Sequence, residues 1–157
     1  EYHLPEIFMM ENVLPLSKDE ILEKHFERLI NHGYSIDTQV VKYSDYGAPT
    51  SRRRLIIFGT KNGDAGTFFQ ELKKYRRPPK TVRDAIWHLR NKKRDEVPDH
   101  VWPELRTIDK YKKYYKNGKF GWYVLKWDKP APSFGNIMKT YILHPDAFLP
   151  GDGNDFL

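Results

Sequence analysis

Two strand-like runs, about forty-five residues apart, constrain this chain more than any other feature. The first, Ile7-Phe8-Met9-Met10, is apolar and delivers Glu11, Asn12 and Val13 at its end. The second, Leu55-Ile56-Ile57-Phe58-Gly59, follows Gly47-Ala48-Pro49-Thr50-Ser51-Arg52-Arg53-Arg54. One helical and one strand-like stretch lie between them. Ser17-Lys18-Asp19-Glu20 has the form of a capping box and predicts a helix running to about Asn31, with Ile21, Leu22, Phe26, Leu29 and Ile30 on one face. His32-Gly33 is a stop, Gly33 suiting the left-handed position after a helix. Residues 34–43 read as a strand, and a link of about ten residues to the next one suits an antiparallel pair, not a helical crossover. The first run, short and continuously apolar, reads as a buried strand over 6–13. Strand, helix, strand, turn, strand is an α/β pattern. It can bring a carboxylate and arginines to one sheet edge, an arrangement that suits a flat polar ring held by its hydrogen-bonding edge.

Beyond the sheet the character of the chain changes. Residues 68–75 predict a short helix, and Arg76-Arg77-Pro78-Pro79-Lys80 reads as a linker, dividing the chain into 1–75 and 76–157. Thr81 is placed to cap a helix from Val82 to Leu89, with Asp84 at its third position. Trp122 to Trp127 reads as a strand. Residues 76–130 carry 16 Lys+Arg against 7 Asp+Glu, whereas residues 1–75 carry 10 against 11. A basic excess confined to one segment points to a polyanion there, or to a solvated lysine-rich surface. Lys110, Lys112, Lys113, Lys116 and Lys119 interleave with Tyr111, Tyr114 and Tyr115; the tyrosines can stack at a nucleic-acid groove or pack a small core with Trp122 and Trp127. With no cysteine, the chain holds no disulfide, thiolate metal site or cysteine nucleophile, and no metal site is expected. No apolar run approaches the ~18 residues of a membrane span, so a cytosolic or nuclear protein is the expectation. The turn-rich end, Gly151 to Leu157, and an opening on Glu1 suggest a piece of a longer protein.

Each site element has a plainer reading when taken alone. Glu11 can be a helix cap or an ion-pair partner, and Arg52-Arg53-Arg54 can be a basic strand edge that discourages pairing. Alternation puts Arg52 and Arg54 on one side and Arg53 on the other.

Together the elements resemble the DNA (cytosine-5) methyltransferases. That family has an Glu-Asn-Val tripeptide after an apolar strand, here Glu11-Asn12-Val13. It later has a Gly-x-Pro-Gln-x-Arg-x-Arg segment, here Gly47 to Arg54 with Thr50 in the place of Gln. Asn31-His32-Gly33-Tyr34, Asp45-Tyr46-Gly47, Thr81-Val82-Arg83-Asp84-Ala85-Ile86, Trp127 to Ser133 and His144-Pro145 also resemble family segments, in order. The family's glycine-rich cofactor loop and Pro-Cys segment are not in this chain.

The resemblance implies part of an S-adenosylmethionine-dependent, Rossmann-like mixed sheet followed by part of a small target-recognition domain. It implies methyl transfer from S-adenosyl-L-methionine to cytosine C5 in double-stranded DNA, by base flipping and a cysteine adduct, in a restriction–modification or orphan bacterial enzyme of the cytoplasm. Glu11, Arg52 and Arg54 match the family's catalytic residues. Asn12, Thr50 and Arg53 are expected nearby on the substrate side, and the five lysines on the DNA backbone. The cofactor site is expected mostly outside this chain. An isolated piece is expected to be inactive and to expose a sheet edge that favours self-association. The rival expectation is a noncatalytic nucleic-acid-binding module in which Glu11 and the arginines form only a structural network.

Overall fold

The computed structural model describes residues 3–92, 96–98, 112–117, 121–134 and 141–146. The chain divides into two compact units, residues 1–47 with 52–78, and residues 48–51 with 79–157.

The first unit contains β1 (Ile7–Asn12), α1 (Glu20–Asn31), β2 (Ser35–Lys42), β3 (Arg53–Thr60) and α2 (Gly66–Lys74). Its sheet has the order β1-β3-β2, with both pairings antiparallel. The last strand therefore inserts between the first two. As the central strand, β3 hydrogen-bonds on both sides, and Leu55 and Ile57 are buried on it. The helices take opposite faces, because neighbouring residues of a strand point opposite ways. Leu22, His25, Phe26 and Leu29 of α1 meet Phe8, Met10 and Ile57 around an open apolar cavity of about 260 Å³. On the other face Phe68 of α2 stacks on Phe58 with ring centroids 4.3 Å apart, and Phe69 meets Phe68 edge-on and is itself buried.

Three expectations are corrected here. Ser17 does not cap α1. Pro15 starts a 3₁₀ turn over Leu14–Lys18, and the Ser17 hydroxyl donates to the Leu14 carbonyl at 2.8 Å. The cap falls to Asp19, which accepts from the Ile21 amide at 2.8 Å. Next, the apolar face of α1 is narrower than the sequence implies. Leu22, Phe26 and Leu29 share one stripe at about 100° per residue, while Ile21 and Ile30 fall at its margins and are exposed. Finally, β1 is not buried: Ile7 is 56% and Met9 65% exposed. Alternation turns both to the face where α2 lies over β2 and β3, and β1 is an edge strand among the described residues.

Gly59 marks the tightest packing in this sheet. It faces Phe8 across the β1–β3 register, and a Cβ there would meet the Phe8 ring at 2.1 Å. That ring is held edge-on against Tyr34, 5.3 Å away. Gly59→Ala is expected to cost about 1–3 kcal/mol, the range for overpacking a filled core, measured by urea unfolding. An unchanged midpoint would show that the ring swings aside freely.

In the second unit, α3 (Val82–Ile86) opens with a complete capping box. The Thr81 hydroxyl accepts from the Asp84 amide at 3.2 Å, and the Asp84 carboxylate accepts from the Thr81 amide at 2.8 Å. The α-helix is shorter than expected, tightening into a 3₁₀ turn over Trp87–Leu89. The predicted strand also shortens, to β4 (Trp122–Val124), paired in parallel with β5 (Tyr141–Leu143). Trp127 leaves the strand direction to pack edge-on against Trp87 and His144, with centroids 5.0 and 4.9 Å away. Arg83 lies over the Trp87 ring at 4.4 Å. Asp146, 7% exposed, accepts from Trp127 Nε1 at 2.8 Å and from Arg90 Nε at 2.9 Å.

This cluster carries a pH dependence. Burial pulls the Asp146 carboxyl upward, but the Arg90 and Trp127 hydrogen bonds and the nearby cationic groups outweigh it, leaving it below the ordinary carboxylate range. Burial pushes the His144 imidazole down, against the pull of Asp146. Both groups bind protons more weakly folded than unfolded, so both contributions to stability are complete above the unfolded pKa and are lost as pH falls. The decline begins near pH 6.5 for His144 and near pH 4 for Asp146. Melting followed by tryptophan fluorescence is expected to show falling stability over that span. Asp146→Ala is expected to cost about 1–2 kcal/mol at pH 7 by removing the acceptor of two part-buried hydrogen bonds, from Trp127 Nε1 and Arg90 Nε.

Candidate active site

The register of the three strands builds the site. Glu11 pairs with Ile56, which pairs with Gln39; Arg54 pairs with Val41. Directly opposed residues share a face, so Glu11, Arg54 and Val41 project to the same side, with Arg54 on the diagonal from Glu11. The Arg54 side chain spans that diagonal, and its Nε lies 2.9 Å from Glu11 Oε1. Arg54 Nη1 donates to the Arg53 carbonyl at 2.8 Å, which holds the guanidinium in place. The Arg54 side chain is 15% exposed and that of Glu11 43%. The pair is thus sheltered on the arginine side and open on the carboxylate side.

A third member was not anticipated from the sequence. Tyr43, two residues past Val41, starts the 3₁₀ turn Tyr43–Asp45 and stays on the same side. Its hydroxyl donates to Glu11 Oε1 at 3.0 Å, and its amide donates to the Arg52 carbonyl at 2.9 Å. Burial raises the Tyr43 phenol, the Glu11 hydrogen bond and charge raise it further, and the charges of Arg52 and Arg54 pull the other way. The phenol is therefore a protonated donor at neutral pH. Its signal was available once register was known, since 39, 41 and 43 alternate onto the face of Glu11.

The other expected residues sit as follows. Arg52 precedes β3 and lies near enough to Tyr43 for its charge to be felt there. Arg53, opposite Lys42, is exposed. Asn12 accepts from the Val13 amide through Oδ1 at 2.7 Å, tying down the strand end. Thr50 belongs to the second unit and forms a bridge with Ala131.

Lys110, Lys119 and Tyr111 lie outside the described residues. Lys112, Lys113 and Lys116 fall on a helical turn over 112–116. At about 100° per residue the three lysines share one arc of that turn, and Tyr114 and Tyr115 occupy the opposite one. The tyrosines pack on Trp122 with centroids 5.3 and 5.0 Å away, and Tyr141 stacks on its ring at 4.1 Å. Trp127 packs elsewhere, against Trp87 and His144. Among the described residues no group of acidic or histidine side chains is arranged to hold a metal ion, and no helix is long and apolar enough to cross a membrane.

The fold that carries this site is of the methyltransferase class, as solved structures show. A Schizosaccharomyces pombe Dnmt2 methyltransferase superposes with a TM-score of 0.59 at 17% identity, covering 89% of this chain and 44% of that one. An Entamoeba histolytica methyltransferase, EhMeth, gives 0.54 at 16% identity, covering 97% and 47%. The chain belongs to the C-5 cytosine-specific DNA methylase family, whose model matches residues 1–134. Among curated relatives, the type II methyltransferase M.MthTI of Methanothermobacter thermautotrophicus is 32% identical over 92% of this chain and 48% of its own length. M.XorII of Xanthomonas oryzae pv. oryzae is 34% identical over 81% of this chain and 29% of its own. The chain thus spans less than half the length of these two relatives.

Proposed function

We propose that this chain is part of a longer enzyme that methylates C5 of cytosine in double-stranded DNA, and that it supplies the side of the site that holds the base. The observation that carries this reading is the carboxylate of Glu11, braced on one oxygen by Arg54 and Tyr43 and open to solvent, in a family member. The first unit is the trailing part of the catalytic sheet, and the second is part of the target-recognition region. The type II relatives support a restriction–modification role, and with it a cytoplasmic location. Self-association of the isolated chain along the β1 edge belongs to the same reading.

Cytosine C5 is a poor nucleophile until C6 is attacked. A cysteine thiolate, supplied from outside this chain, adds to C6 of a base flipped from the duplex. The C5–C6 π electrons shift toward C4 and N3, and N3 takes the proton carried by Glu11. C5 is then enamine-like and takes the methyl group. Loss of the C5 proton to a base expels the thiolate, and N3 returns its proton. Arg54 braces Glu11, and Arg52, whose charge is felt at Tyr43 on the same side, is the arginine for the base O2. S-adenosylmethionine supplies the methyl group when bound. Its site is expected mostly outside this chain; in the glycine-containing turn after β3, the Ala65 amide already donates to Ser35 Oγ at 2.9 Å and the Gly66 amide to Asp64 Oδ1 at 3.0 Å.

The deciding experiment uses the full-length enzyme. It should place label from S-adenosylmethionine on cytosine C5. It should also form a stable adduct with duplex DNA carrying 5-fluorocytosine, because fluorine at C5 cannot leave as a proton does. DNA binding without label or adduct would establish the noncatalytic binding module instead.

A further inference from the structure

We propose that Tyr43 is a positioning residue whose hydrogen bond occupies Glu11 Oε1, beside the Arg54 charge, and so directs the acid proton to Oε2, the oxygen that meets the base. The inference rests on the function proposed above and assigns a role to a residue outside the Glu11–arginine set.

The argument is one of lone pairs. A carboxyl oxygen accepts two good hydrogen bonds in its plane. Oε1 accepts the Tyr43 hydroxyl at 3.0 Å and lies 2.9 Å from the cationic Arg54 Nε. A proton placed on Oε1 would compete with the Tyr43 hydroxyl and sit against the Arg54 charge, so the acid form carries its proton on Oε2. Without Tyr43, Oε1 recovers an acceptor position, the proton populates both oxygens, and the carboxyl plane loses one of two fixed points. Arg54 alone leaves rotation about its Nε contact open.

Tyr43 is itself fixed. Its amide is tied to the Arg52 carbonyl, and its turn is closed by the Tyr46 amide donating to the Tyr43 carbonyl at 3.1 Å. The raised phenol keeps its proton across the working pH range, so the donor is not lost by ionisation.

The test is a double-mutant cycle in the full-length enzyme with Tyr43→Phe and Glu11→Gln, read by single-turnover methylation and by DNA binding. Tyr43→Phe keeps the ring and removes only the hydroxyl. Its rate is expected to fall about tenfold, the size of one hydrogen bond, with DNA affinity unchanged, which also reports a folded protein. In the Glu11→Gln background the same change is expected to add nothing, because an acid proton is no longer there to direct. A further tenfold loss in that background would overturn the proposal, since Tyr43 would then act elsewhere. So would a wild-type rate for Tyr43→Phe while Glu11→Gln is slow, and that result would leave the proposed function standing. A wild-type rate for Glu11→Gln would overturn both.

Discussion

Glu11→Gln in the full-length enzyme is expected to slow single-turnover methyl transfer roughly 10²–10⁴-fold, the usual worth of a positioned general acid, with little change in DNA affinity. Glutamine keeps the size of the side chain, and its carbonyl oxygen can accept from Tyr43 as Oε1 does while facing Arg54. The amide nitrogen can still face the ring, so the base is still held. What is lost is a proton that can move to N3 while C6 is attacked. Affinity is governed mainly by phosphate contacts, and Glu11 makes none. The substitution also removes the counter-ion of a sheltered guanidinium, so a thermal melt belongs beside the kinetics. A rate loss in a protein that melts and binds normally is chemical in origin. A wild-type rate would reduce the Glu11–Arg54 pair to a structural ion pair.

Much of the site could be read from residue order, for a physical reason. The short link between residues 43 and 53 allows an antiparallel pair, and that pairing brings the end of one strand to the start of another. Glu11 and the arginines were bound to approach each other if the first run joined the same sheet. Which arginine makes the contact was not legible, because alternation puts Arg52 and Arg54 on the same side. Only the register, with Arg54 opposite Val41 and diagonal to Glu11, separates them. Tyr43 was hidden for a related reason: it lies one residue past β2, where its direction depends on how the strand enters its turn. The misplaced helix cap and the exposed β1 differ in kind. Pro15 winds the preceding residues into a 3₁₀ turn and diverts Ser17, an effect that a four-residue motif does not contain. An apolar composition says that a strand seeks cover, and not which element supplies it; β1 carries Ile7 and Met9 on a face where α2 lies over its neighbours. In the second unit the aromatic residues were visible and their partners were not. Trp122 collects the tyrosines, while Trp127 turns to Trp87, His144 and Asp146.

Replacing Lys112, Lys113 and Lys116 together by glutamine is expected to do the reverse of Glu11→Gln: weaker DNA binding, with chemistry little changed at saturating DNA. The helical turn sorts its side chains, with Tyr114 and Tyr115 against Trp122 and the lysines on the opposite arc. Residues 112 and 116, four apart, are neighbours on that surface, as are 113 and 116, three apart. The lysines can therefore meet successive phosphates while the tyrosines anchor the turn. Each phosphate contact contributes about 0.9 to the salt slope of binding to duplex DNA, so losing three should make the slope shallower by nearly three. Between 50 and 200 mM salt, the affinity ratio of wild type to variant should then change by roughly 40-fold. Glutamine has a helix propensity close to that of lysine, so the turn and its tyrosine contacts are expected to persist. Titrations across that salt range would measure the slope directly, and single-turnover rates at saturating DNA would show whether chemistry is spared. An unchanged slope would mean that these lysines form a solvated surface and that the basic excess of residues 76–130 meets DNA elsewhere.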